Sequence, residues 1–170
     1  KRTSDCLGAD DTAGVFLMCQ MIARGVPGYY LFHYGEEVGG IGSSELAAKY
    51  PDWLSRFSCA IALDRGGTSD VITHQGGRMT ASNMFAASLA DVLNKGNSAL
   101  FEPCDRGIFT DTANYSEDVA ECTNVSVGYS KAHSSKEVLD TRFLFALLDS
   151  LSTVRLADLT IARKPGEEEP

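Results

Sequence analysis

No apolar run in this chain approaches the length of a membrane span, and no basic, apolar and cleavable stretch reads as a signal peptide. Membrane partners are not expected. Positive charge is scarce too: 15 Lys and Arg stand against 23 Asp and Glu, a formal net charge of -8, with no local basic cluster. That balance argues against a nucleic-acid backbone as partner and favours a metal ion or a cationic substrate group. Cysteine is limited to Cys6, Cys19, Cys59, Cys104 and Cys122, an odd number without C-x-x-C spacing. Neither a disulfide framework nor a thiolate zinc site is expected, so the reading is free, buried thiols and a cytoplasmic setting. Only in an oxidising compartment could Cys104 and Cys122 pair. Histidine is confined to His33, His74 and His133. There is no internal repeat and no linker that would divide the chain.

With 44% hydrophobic residues in 170, the chain can bury a real core as one globular domain. Its organising stretch is Gly35-Glu36-Glu37-Val38-Gly39-Gly40-Ile41-Gly42-Ser43. The preceding aromatic run, Tyr29 to Tyr34, reads as a strand, and the glycines read as a turn opening a helix. Neighbouring side chains of an extended chain point to opposite sides, so one glutamate can bind a cation while the other reaches a water on the same ion. The plain alternative is a solvated acidic pair at a strand end.

Upstream, Gly8-Ala9-Asp10-Asp11 leads into an apolar helix from Thr12 to Ala23, where the two aspartates read as caps or as metal ligands. Ser43-Ser44-Glu45 caps a short helix that Pro51 closes. Phe57 to Leu63 is a strand of the doubly buried kind ending in Asp64-Arg65, and open α/β sheets place ligands at such strand ends. Asp70 to His74 reads as a further strand, antiparallel at an edge, and Ser82 to Asn94 as a helix. Ala99 to Cys104 is a short strand. The long polar loop Asp105 to Glu117 suits a substrate wall, with Asp111 and Tyr115 as its candidate binding residues. Asn124 to Tyr129 alternates as a strand does and delivers His133. The last helix runs from Lys136 to Val154, and the acidic stretch 163–170 reads as a disordered tail after a domain spanning 1–162. His33 and His74 read as structural residues.

Asp10, Glu36, Glu37, Asp64 and His133 thus all stand at the ends of buried elements. Oxygen and imidazole donors without thiolate suit zinc in a hydrolytic site, with cobalt or manganese as alternatives. Carboxylates gathered at one sheet edge would repel one another unless a divalent cation offset them.

Leu7-Gly8-Ala9-Asp10-Asp11, the Gly35 to Ser43 stretch, Leu63-Asp64-Arg65 and Asn124 to Tyr129 with His133-Ser134 resemble, in order, motifs of the co-catalytic zinc exopeptidases related to bacterial leucyl aminopeptidase. The resemblance spans Leu7 to about Leu151. It implies a three-layer α/β/α sandwich with a mixed, mostly parallel sheet. It also implies that Asp10 bridges two metals, Glu36 is the general base, Glu37 and His133 complete one metal site, and Asp64 belongs to the other. The reaction implied is hydrolysis of a peptide or small amide by a metal-activated water, most simply as an aminopeptidase. The family's first histidine, from an upstream H-x-D motif, has no counterpart, and the chain starts at Lys1. The chain therefore reads as the C-terminal part of a catalytic domain, its uncovered sheet to be met by a missing N-terminal segment or by a homo-oligomer. Two other readings stand beside this one. Glutaminyl cyclases resemble the same family and use one zinc on the counterparts of Asp10, Glu37 and His133. A non-catalytic fragment or interaction module would keep the fold without a working site.

Overall fold

The structure is a computed structural model and describes residues 5–95 and 100–166. Its regular elements are α1 (Ala9–Ala23), α2 (Ile41–Lys49), α3 (Pro51–Leu54), β1 (Cys59–Arg65), β2 (Asp70–Ile72), β3 (His74–Gln75), β4 (Arg78–Met79), α4 (Asn83–Asn94), β5 (Glu102–Cys104), β6 (Glu121–Ser126), β7 (Tyr129–Ser130), β8 (Val138–Leu139) and α5 (Thr141–Leu151). Four strands form the main sheet in the order β1-β6-β2-β5. β1 and β6 run parallel, as do β2 and β5, while β6 and β2 are antiparallel. The sheet is therefore mixed and mostly parallel, as the sequence implies.

Alternation along the strands sends side chains to two different cores. Leu63, Val71 and Val125 pack with Leu17 of α1, Phe85 and Leu89 of α4 and Leu147 and Leu148 of α5 on one face. Ala60 and Cys122 face Leu54, Trp53, Leu46, Tyr115 and Val119 on the other. Helices thus cover both faces. Each fully buried Leu or Phe contributes roughly 1.5–3 kcal/mol by leaving water. At one point helix and strand touch through a glycine: a Cβ on Gly14 would run into the Leu63 carbonyl oxygen and both carboxylate oxygens of Asp11. This closeness brings the acidic start of α1 to the end of β1.

Local signals set several boundaries. Ser82 caps α4 by accepting from Phe85 N, and Asp140 caps α5 by accepting from Phe143 N. α5 consequently begins at Thr141, five residues later than the expected Lys136, because Val138–Leu139 is drawn off to pair with β7. Gly76 and Gly77, both left-handed at φ 60° and 78°, make the two-residue turn between β3 and β4.

Two strand expectations need correction. Tyr29 to Tyr34 forms no strand and pairs with no described strand, because aromatic content gives β-propensity but a ladder needs a neighbour. The strand beginning at Asp70 is interior, flanked by β6 and β5, instead of lying at an edge. Ala99, the expected start of β5, lies outside the described residues.

Nor does the chain become a tail at residue 163. Arg163 is buried, and its guanidinium donates to the carbonyls of Ser116, Val119 and Ala120. Residues 167–170 of the expected tail lie outside the described residues. The backbone N–H groups of Ala162 and Arg163 donate to Oε1 of Glu121, which is fully buried and also accepts from the Ser82 hydroxyl and, through Oε2, from Ser82 N. A carboxylate is acceptor-only and meets four donors here; a glutamine amide cannot. Glu121→Gln is therefore expected to lower unfolding stability by about 2–4 kcal/mol, measured by urea denaturation.

Candidate metal centre

Each acidic group reaches the site from a different element. Asp10 lies in the first turn of α1, where it and Asp11 depart from helical φ/ψ and the peptide between them is cis. Glu36 and Glu37 ride on a short 3-10 turn bracketed by Gly35 and Gly39, both left-handed at φ 73° and 98°. Asp64 sits near the end of β1. His133 follows β7 in a loop where it has φ 59°, a left-handed value that few non-glycine residues adopt. Ser134 braces that loop, donating from its hydroxyl to Lys131 O at 2.7 Å.

Asp10, Glu37 and His133 come together: one donor atom of each lies within 4.8 Å of the other two. His133 Nε2 is 2.7 Å from Glu37 Oε1 and 3.0 Å from Asp10 Oδ2. That hydrogen bond to Glu37, with the charges of Glu37 and Asp10, raises the His133 imidazole pKa above its ordinary value. Burial raises the Asp10 carboxyl, and Glu37 adds to it against the opposing His133. Glu36 is raised by burial and then by Glu37, Asp111 and Asp10. Asp64 stands outside the three-residue group. Its Oδ2 accepts from the Thr110 hydroxyl at 2.9 Å, and burial pushes its carboxyl up to about 7. Asp11 reaches about 9, driven by burial and the Asp64 charge, and accepts from Gly14 N at 3.0 Å.

These groups line a pocket of about 380 Å³ walled also by Arg65, Ile72, Gln75, Ile108, Phe109, Asn124 and Tyr129. The pocket's one arginine is engaged elsewhere, its Nη2 lying 3.0 Å from Asp70 Oδ2. Four carboxylates therefore face one imidazole, an unbalanced set that a divalent cation would offset. Two oxygen donors and one imidazole nitrogen fit a zinc ion with a position left open.

Of the two loop candidates, neither lines this pocket. Asp111 accepts from the Ser43 hydroxyl, and buried Tyr115 joins its hydroxyl to His33 Nε2 within the smaller core. His33 and His74 serve structure, the second bonding Thr73 Oγ1 at 2.9 Å. Two supporting residues escaped the sequence reading. The Asn124 amide grips Asp64 like a strand partner, accepting from Asp64 N and donating to Asp64 O, both at 2.9 Å. A polar amide inside an otherwise apolar strand was the available signal. Glu137 accepts from the backbone N–H of Gly8 at 2.8 Å and of Asp10 at 3.0 Å, tying the His133 loop to the start of α1.

Fold and site together define an α/β/α chain with a carboxylate and imidazole cluster at its strand ends. No protein-family model matches the chain, and no curated protein does. Solved structures do. PhTET1-12s, a dodecamer in its asymmetric unit, superposes with a TM-score of 0.65 at 22% identity, over 85% of this chain and 48% of that one. The aminopeptidase APDkam598 from the archaeon Desulfurococcus kamchatkensis gives a TM-score of 0.64 at 21% identity, over 85% and 46%. At such identity the likeness shows the fold, one that an aminopeptidase uses. This chain spans about half the length of either structure. Among the described residues, no helix is long and apolar enough to cross a membrane.

Proposed function

We propose that the chain is a metal-dependent hydrolase of peptide or amide bonds, an aminopeptidase in type. The observation that carries this reading is the convergence of Asp10, Glu37 and His133 within 4.8 Å in a pocket that Glu36 also lines. Those three residues would hold the ion, zinc by preference of the donor set, with cobalt or manganese as substitutes. When bound, the ion supplies Lewis acidity to the scissile carbonyl. Glu36 acts as general base, taking a proton from the attacking water and returning it to the departing amine. The raised pKa of Glu36 suits a group that must accept and then donate. The acidic pocket attracts the protonated N-terminus of a peptide. Asp64, with Asp10, belongs to a second and weaker ion position. The dodecameric state of PhTET1-12s supports a homo-oligomer for this chain also. The five free thiols support a reducing, cytoplasmic compartment.

A second reading is favoured by one observation: the ligand set for a single ion is complete without Asp64. That is the arrangement of a single-zinc glutaminyl cyclase-like enzyme. Supplying zinc to the purified chain and following hydrolysis of an aminoacyl amide beside cyclisation of an N-terminal glutamine peptide separates the two. Hydrolysis is expected. Cyclisation alone would select the second reading, and neither activity from a zinc-loaded chain would leave a non-catalytic module.

A further inference from the structure

We infer that the trough between Val26–Phe32 and the free edge of β1 is a seat for one extended strand of another polypeptide segment. The occupant is apolar, rich in β-branched residues, and cationic or imidazole-bearing at the end that reaches Asp64. The inference rests on the fold and does not depend on the proposed activity.

β1 pairs only with β6 among the described strands, so its other side is an open edge. Ser58 O accepts from Glu121 N, which sets the alternation: Ala60 turns its backbone groups toward β6, while Cys59 and Ile61 turn theirs outward. Outward lies a trough of about 810 Å³. Val15, Met18 and Met21 of α1 wall it on one face, Leu54, Tyr115 and Val119 on the other, and Tyr29 to Phe32 along the far side. It therefore occupies the sheet's own layer, between the two helical layers. Only an extended strand both fits a sheet layer and satisfies an outward-facing row of N–H and C=O groups.

The walls specify the occupant further. A strand covered on both faces is a near-continuous apolar run of Val and Ile, not an alternating one. One end of the trough is lined by Asp10, Asp11, Glu36, Glu37, Asp64 and Asp111, which calls for positive charge or imidazole in the occupant there. The chain's own end stretches, Lys1 to Leu7 and Lys164 to Pro170, contain no such apolar run. A second copy is thus disfavoured as donor. An occupied seat would also give Tyr29 to Phe32 a neighbour on its open side, the ladder partner that its aromatic sequence anticipates.

Trp53, the only tryptophan, lines the trough with its ring 4.7 Å from Phe57 and 5.7 Å from Tyr29, so its emission reports occupancy. The probe is an N-acetylated peptide, Thr-Val-Ile-Val-Val-Ile-His-Lys, titrated into the full chain beside an analogue N-methylated at alternate backbone positions. The expected result is a saturable blue shift of Trp53 emission and about tenfold slower amide exchange at Cys59 and Ile61, with neither effect from the N-methylated analogue. Three results would each overturn the inference. One is no saturation with millimolar peptide. Another is exchange at those amides already slow in the free chain at every concentration, meaning that Tyr29 to Phe32 closes the trough itself. The third is protection that grows with protein concentration alongside dimer formation, meaning that a second copy fills it.

Discussion

Glu36→Gln lowers kcat by about a hundred- to ten-thousand-fold while metal content per chain stays unchanged. The expectation follows from how the two adjacent glutamates divide. Glu37 Oε1 lies 2.7 Å from His133 Nε2 and belongs to the three-donor group, whereas Glu36 lines the same pocket outside that group. The amide of glutamine keeps the size and hydrogen bonding of the side chain but cannot accept a proton at neutral pH. Only the proton-transfer step is removed. Metal analysis beside steady-state kinetics decides the matter, and loss of metal in step with activity would show that the roles of Glu36 and Glu37 are exchanged.

His133→Ala is expected to remove the firmly held ion altogether. It deletes the only imidazole of the group and leaves Asp10 and Glu37, two carboxylates that hold zinc weakly. The second position is poorer from the start. Asp64 already accepts a hydrogen bond from Thr110, and His33 and His74 are engaged with Tyr115 and Thr73. The unaltered chain is accordingly expected to retain one equivalent of metal after dialysis, and His133→Ala none. Two equivalents retained by the unaltered chain would mean that a neighbouring chain completes the second position.

The ends of buried elements proved readable because ionised groups there have few plain explanations. Asp10, Glu37 and His133 were singled out on that ground, and the fold brings them together. The same reasoning had no means of ranking Asp64, whose separation from the group depends on the Asn124 amide and the Thr110 hydroxyl fixing it in place. Loop composition misled at Asp111 and Tyr115. Mixed aromatic and polar residues suit a pocket wall, but equally a turn packed into a core, and only the fold tells which. Tyr29 to Tyr34 failed for a related reason: side-chain type can invite a strand, yet pairing is a property of what lies alongside. Glu137 gave no sign at all, because its partners are backbone N–H groups in a distant segment.

That last contact has a consequence for how the molecule comes into being. Glu137 meets the backbone of Asp10 across a sequence separation of 127 residues, so the two must close most of the chain into a loop. A loop that long forms late, after the local helices and hairpins whose closure costs less entropy. During synthesis the acidic start of α1 leaves the ribosome early and waits for the His133 loop, which arrives near the end. Metal capture is thereby tied to completion of folding, and a nascent chain stopped before residue 133 presents the carboxylates without the imidazole that gathers them.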